Sequence, residues 1–194
     1  MKTTVINEKD IVVSKWAGGE SRQYYIYPPE SNYSKRDFMF RVSMATSYSD
    51  EKANYTNLEN FTRYLVMLEG TANVFHKGHY DVILKPFDYI DVFDGGWDSS
   101  ASGKVVDFNL MTSKNITAGM CVVEKSDVVK IGELKGKNWL MFFCGSGSTS
   151  FELPQGECIN IFKNDLIIFE DFENTLEINV KLIDSKLIKM FVSI

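Results

Sequence analysis

Two arginines, an aspartate, an asparagine and a serine stand in this sequence where polar side chains are least expected. Arg41 and Ser43 interrupt the run Phe38-Met39-Phe40-Arg41-Val42-Ser43-Met44. Successive side chains of an extended strand point to opposite sides, so Arg41 and Ser43 share a face opposite Phe38, Phe40, Val42 and Met44. Asp107 and Asn109 do the same in Val105-Val106-Asp107-Phe108-Asn109-Leu110-Met111, where with Met111 they oppose Val106, Phe108 and Leu110. Arg63 opens the otherwise apolar Tyr64-Leu65-Val66-Met67-Leu68. Polar groups turned into the interior of a β-structure are costly unless they are paired or reserved for a ligand. Arginine offers a planar fork of donors that matches a carboxylate. The set Arg41, Ser43, Arg63, Asp107 and Asn109 therefore predicts a pocket for a small carboxylate. Two alternatives stand beside it: a structural ion pair between Arg41 and Asp107, or exposure of both to solvent. Trp16, before Ala17-Gly18-Gly19, is either a roof over this pocket or a plug in the core, since indole joins apolar area to one donor.

Other chemistries find less support. No Gly-x-Ser-x-Gly phrase occurs, and neither histidine has a serine or cysteine at a motif spacing. Gly145-Ser146-Gly147-Ser148 reads as a turn after a strand, and Gly18-Gly19 and Gly95-Gly96 are too short for a nucleotide-binding fingerprint. No catalytic residue is assigned. Cys121, Cys144 and Cys158 are odd in number and widely spaced, which predicts buried free thiols in a reducing cytosol. The net charge of −5 argues against a phosphate-backbone partner, so nucleic acid is not expected. Met1 to Asp10 lacks the apolar stretch of a secretory signal, and no apolar run approaches the roughly 20 residues that span a bilayer. A cytoplasmic protein without a membrane partner is expected.

The elements that must position these side chains are strands. The chain has 194 residues, 44% of them hydrophobic and 24% charged, which is ample for a packed interior. Period-two patterning rich in β-branched and aromatic residues recurs at 38–44, 63–68, 71–76, 79–84, 89–93 and 105–111. Lys77-Gly78 marks a hairpin, Asp94 to Gly103 a polar loop, and Lys114 to Gly119 a junction between lobes. Asn57 to Phe61 has room for a single turn, and Tyr24, Tyr25 and Tyr27 form an aromatic strand. A faint repeat links Leu65–Phe93 with Leu140–Phe169, matching Gly70 to Gly145 and Asp88 to Asp165. Each copy runs strand, glycine, strand, turn, strand, a turn with aspartate, then a strand. The expectation is an all-β chain of two packed jelly-roll barrels, with lobes at 1–112 and 113–194. The second lobe reads as packed core through Met141, Phe143, Cys144, Ile159, Ile161, Phe162, Ile167 and Phe169.

Four segments carry a resemblance. Lys15-Trp16-Ala17-Gly18-Gly19-Glu20-Ser21-Arg22-Gln23 resembles the N-terminal signature of the HutD/Ves family. Phe40-Arg41-Val42-Ser43-Met44-Ala45 is similar to its Arg-x-Ser-x-Ala strand. Arg63 to Gly70 is similar to its Arg-to-Leu-Glu-Gly strand, and Asp107 to Met111 to its Asp-Phe-Asn-x-Met segment. The family's glycines between these strands are missing from Ser49 to Asn60. The resemblance implies a bicupin fold. It implies a link to histidine utilisation for HutD-like members and to a stress response for Ves-like members, with no reaction established. Cupins often hold a metal on a His-x-His pair, a carboxylate and a later histidine. This chain has only His76 and His79, which bracket Lys77-Gly78 and are expected to be exposed at the hairpin end, so no metal and no cofactor are expected. The leading expectation is a small-molecule-binding bicupin, a sensor or modulator. The alternatives are a metal-independent isomerase or hydrolase working through carboxylates, and a barrel scaffold for protein–protein interaction. A homodimer is compatible with each.

Overall fold

The structure is a computed structural model that describes residues 1–131, 136–172 and 176–194. In chain order the strands are β1 (Lys2–Ile6), β2 (Val13–Trp16), β3 (Gly19–Tyr27), β4 (Phe40–Ser47), β5 (Ala53–Asn54), β6 (Phe61–Glu69), β7 (Ala72–His76), β8 (Tyr80–Leu84), β9 (Asp91–Asp94), β10 (Ser99–Ser102), β11 (Val105–Ser113), β12 (Thr117–Val123), β13 (Asp127–Ile131), β14 (Asn138–Glu152), β15 (Cys158–Phe162), β16 (Leu166–Glu170) and β17 (Leu176–Ser193). Two short 3-10 turns, Glu8–Asp10 and Tyr33–Lys35, are the helical elements among the described residues. None of these is long and apolar enough to cross a membrane. The all-β expectation holds, and all pairing between named strands is antiparallel.

The chain divides into two compact units, Ile11–Asn115 and Met1–Asp10 with Ile116–Ile194. The division falls inside the expected junction at 114–119. Residues 1–10 differ from the expected lobe at 1–112, because β1 pairs with β16 from Lys2↔Glu170 to Ile6↔Leu166. That pairing satisfies the free edge of β16, which an unpaired strand would leave open to aggregation.

In the first unit a six-stranded sheet runs β2-β3-β4-β11-β6-β9 and a four-stranded sheet β5-β10-β7-β8. Leu65, Met67 and Phe93 of the larger sheet pack with Ala72, Val74 and Leu84 of the smaller one. The segment 94–103, expected as loop, instead carries β10, whose small residues Ser99 to Ser102 pair with β7 from His76 to Asn73. The expected turn before β6 is present, with the Phe61 amide donating to the Leu58 carbonyl at 3.0 Å.

The second unit is a seven-stranded sheet in which β14 and β17 are long and bent. The first half of β14 pairs with β16 and the end of β17; its second half pairs with β15 and the start of β17. The register of β14 on β17 shifts between Cys144, Ser146 and Ser148. Gly147 sits at that bend with φ +66°, and a Cβ there would lie 2.4 Å from the Asp184 carbonyl oxygen, so only glycine fits without strain.

The two units repeat one pairing scheme. β6 lies between β9 and β11 as the first half of β14 lies between β16 and the end of β17. β7 lies between β8 and β10 as the second half of β14 lies between β15 and the start of β17. β4 on β11 corresponds to β12 on β17, and β5 on β10 to β13 on β17. The 65–93 and 140–169 sequence repeat is the visible part of this scheme. The fillings differ. Leu140, Phe142, Cys144, Phe151, Ile161, Ile167, Phe169, Ile178 and Leu187 make a continuous apolar core in the second unit. Phe162, expected in that core, is 62% exposed, because Cys158, Asn160 and Phe162 face outward while Ile161 faces in.

Candidate functional site

The site lies on the inner face of the larger sheet of the first unit. Directly paired residues of antiparallel strands share a face. Across β4, β11, β6 and β9 the register forms one row of Arg41, Met111, Arg63 and Phe93. The next row is Ser43, Asn109, Leu65 and Asp91, and the third places Ala45 and Met67 beside Asp107. The period-two reading therefore brings Arg41, Ser43, Arg63, Asp107 and Asn109 onto one surface. The opposite face of the same strands carries buried Phe40, Val42, Met44, Phe108 and Leu110.

Arg41 and Arg63 are 8% and 5% exposed. Arg41 donates from Nε to Gln23 Oε1 at 2.8 Å and from Nη1 to Ser43 Oγ at 2.7 Å, and its guanidinium lies 4.4 Å from the Tyr33 ring centre. Arg63 donates from Nη2 to Asn109 Oδ1 at 3.4 Å, its Nε has no partner, and its guanidinium lies 4.7 Å from the Tyr55 ring and 5.2 Å from that of Phe93. Among the described residues neither arginine forms an ion pair with a carboxylate. Both alternatives for Arg41 and Asp107 thus fail: they are not a pair, and Arg41 is not in solvent. Burial lowers the pKa of each guanidinium, and the mutual repulsion of Arg41 and Arg63 adds to the lowering at Arg41. Aromatic faces partly offset this, since a cation over a π-face within about 6 Å is attracted by the ring quadrupole.

Asp107 is half-buried, and its carboxylate accepts a short hydrogen bond from the Asn109 side-chain amide. Burial pushes its carboxyl up to about 7 from 3.8, against opposing pulls from Arg63 and Asn109. Tyr55, on the segment between β4 and β6, was not singled out in the sequence. Its amide donates to the Ser99 carbonyl at 2.9 Å, its ring stacks on Phe93, and burial raises its phenol well above the usual range. Tyr33 and Gln23 are likewise additions from segments with no clear periodicity. Trp16 stands apart. It lies at the end of edge strand β2, 46% exposed, with its ring so close over Gly18 that a Cβ there would meet Trp16 Cζ3 at 2.3 Å. It makes no ring contact with the five polar residues; it is neither their roof nor a buried plug.

One of the two histidines departs from expectation, while His79 is exposed as expected. His76 is 1% exposed rather than at the surface, because Ala72, Val74 and His76 all point inward on β7. His76 Nδ1 lies 2.7 Å from Ser99 Oγ and Nε2 lies 2.9 Å from Asp91 Oδ2, while Tyr80 donates to Asp91 Oδ1 at 2.7 Å. Phe93, Tyr80 and Trp97 surround the imidazole. This Ser–His–Asp line clasps the two sheets together, and all three residues are buried. His79 lies flat on Trp97 with centroids 3.7 Å apart. Both nitrogens of His76 are engaged, so the donor set does not fit a cupin metal, and no group of three His, Cys, Asp or Glu positioned for a metal occurs among the described residues.

Comparisons with known proteins agree with this architecture. No curated protein matches the sequence. A conserved protein of unknown function from Pseudomonas aeruginosa superposes with a TM-score of 0.84 at 15% identity, covering 100% of both chains. HutD from Pseudomonas fluorescens superposes at 0.80 with 17% identity, covering 99% of this chain and 98% of that one. A cupin 2 conserved barrel domain protein from Leptotrichia buccalis gives 0.59 at 10% identity, with 98% and 96% covered. These likenesses establish a two-lobed cupin fold, and the HutD family model matches residues 8–186. The chain belongs to the HutD family.

Proposed function

We propose that this chain is a binding protein for a small carboxylate, which it takes into the first lobe. One observation carries the reading: two buried guanidiniums share an inner face with no carboxylate partner, and one of them keeps an unsatisfied Nε. A buried cation without a counter-charge is costly, and a bound acid would remove that cost. Membership of the HutD family supports a role as a sensor or modulator linked to histidine utilisation. The test is a thermal-shift screen with formate, urocanate and formylated or formiminated glutamate; formate heads it because the P. fluorescens HutD was solved in a formate condition. A ligand that binds only the native state raises its apparent stability. No shift with any of these acids sinks the reading.

A second reading has its own observation. A carboxyl held near neutrality beside a guanidinium is what a general acid or base requires. On this reading Asp107 moves a proton on an acid held by Arg41 and Arg63, without metal. Incubating the same acids with the protein and following them by proton NMR tests it; acids that bind and remain unchanged leave the binding reading alone.

A further inference from the structure

This inference rests on the carboxylate-binding reading and concerns how that site is regulated. Asp107 is a carboxyl group on the same face as two guanidiniums, yet it is paired with neither. Its hydrogen-bond partner is the Asn109 side chain, whose oxygen is turned to Arg63. The groups that act on Asp107 directly are Arg63 from β6 and Asn109 from its own strand, and Asp107 in turn acts on Tyr55. Tyr33 from the segment before β4, Asp91 from β9, Tyr55 and Asp107 act on Arg63, and Arg63 in turn acts on Arg41 from β4. From the smaller sheet, His76 reaches this set through Asp91.

The Nε of Arg63 is a buried donor with no hydrogen-bond partner among the described residues. A carboxylate that takes it arrives in the neighbourhood of Asp107. Two carboxylates sharing one buried site cannot both stay ionised without penalty, and one of them retains a proton. A ligand acid gripped by guanidiniums is held ionised, so the proton falls to Asp107. Burial already brings that carboxyl up to about 7 with no ligand present.

We propose that the site takes up its acid together with one proton, carried by Asp107, so that binding weakens as pH rises through neutrality. In this form the protein reads the concentration of the acid and the acidity of its surroundings at once. Below about pH 6 Asp107 is already protonated and affinity is flat; above it each bound acid must draw a proton from solution.

Isothermal titration with formate and with oxalate tests this, since both are fully ionised over the range used. Affinity for each is expected to fall roughly tenfold between about pH 6 and about pH 8. At about pH 7, heats measured in buffers of different ionisation enthalpy should report uptake of about half a proton per acid bound. Asp107→Asn should reduce the ratio of affinities at the two pH values to about one, whatever its absolute affinity. Binding with the same affinity at both pH values, or an Asp107→Asn protein that keeps the wild-type pH dependence, overturns the proposal and leaves the carboxylate reading standing. Absence of binding at either pH overturns both.

Discussion

Asn109 separates Arg63 from Asp107: its oxygen faces the guanidinium and its amide faces the carboxylate, so the two charges occupy one surface without forming an ion pair. The arrangement leaves a buried carboxyl whose folded-state pKa is raised, with burial as the leading cause. Such a group contributes stability that is fully present below its unfolded pKa and is lost as pH rises through the folded value. Between about pH 4 and about pH 7 wild-type stability should therefore fall relative to Asp107→Asn, by an amount on the order of a few kcal/mol after allowance for partial exposure. Denaturation midpoints of the two proteins across that range check this, and parallel curves would contradict it.

The arginines give a contrasting pair of outcomes. Arg41 is held by two hydrogen bonds and a ring, with no carboxylate depending on it. Arg41→Ala should cost about 1–2 kcal/mol, well short of the roughly 3–5 kcal/mol expected when a buried ion pair is broken, while removing acid binding. Arg63→Met should also lose acid binding but hold or raise stability, because it removes a buried charge with no direct ion-pair contact and an unsatisfied donor. Chemical denaturation and an acid titration on each variant decide the matter; a loss above about 3 kcal/mol in either would point to a structural role instead.

His76 should behave in the opposite way to Arg63. Its replacement by alanine leaves the fully buried Asp91 with Tyr80 alone and opens a void among Phe93, Tyr80 and Trp97. A loss of about 3–5 kcal/mol is expected. Asp91→Asn should be milder, because an amide can still hydrogen-bond to His76 and Tyr80. Equal losses in the two variants would show that the carboxylate's charge matters as much as the imidazole, and no loss in Asp91→Asn would show that the clasp acts by packing alone.

In the second lobe, Phe142 is fully buried and touches Phe151 and Phe169. Phe142→Ala is expected to cost about 3–5 kcal/mol. Thermal unfolding under calorimetry is the direct check, and an unchanged melting temperature would show that this core is not as tightly packed as its burial indicates.

The parts of the site that sit on regular strands were legible in advance. Alternation along 38–44 and 105–111 identified Arg41, Ser43, Asp107 and Asn109, because a strand's side-chain period is fixed at two whatever the partner strand is. The same rule, applied through Ala72 and Val74, places His76 inside; reading it by its nearness to the Lys77-Gly78 turn put it outside. Phe162 was misplaced for the matching reason, since alternation along β15 with Ile161 inside turns it outward. Tyr33, Tyr55 and Gln23 were not legible, since what brings them to the arginines is the path of irregular segments and a bulge between β3 and β4. The placement of β1 against β16 depends on residues 160 or more positions apart, and nothing local in Lys2 to Ile6 announces that partner.

The shared strand pairing of the two lobes, one with an apolar interior and the other with Arg63, Asp91, Asp107 and Asn109 set among its inner apolar residues, means that the same fold position answers to different rules in each. At inner positions of β14, β16 and β17 a replacement is judged by its volume. At the matching positions of β6, β9 and β11 that hold these four residues it is judged by its charge and hydrogen bonding. A saturation map of the chain would then divide into a size-sensitive half and a charge-sensitive half along one common wiring diagram. A swap of inner residues between matched strands would transplant the rule together with the residue.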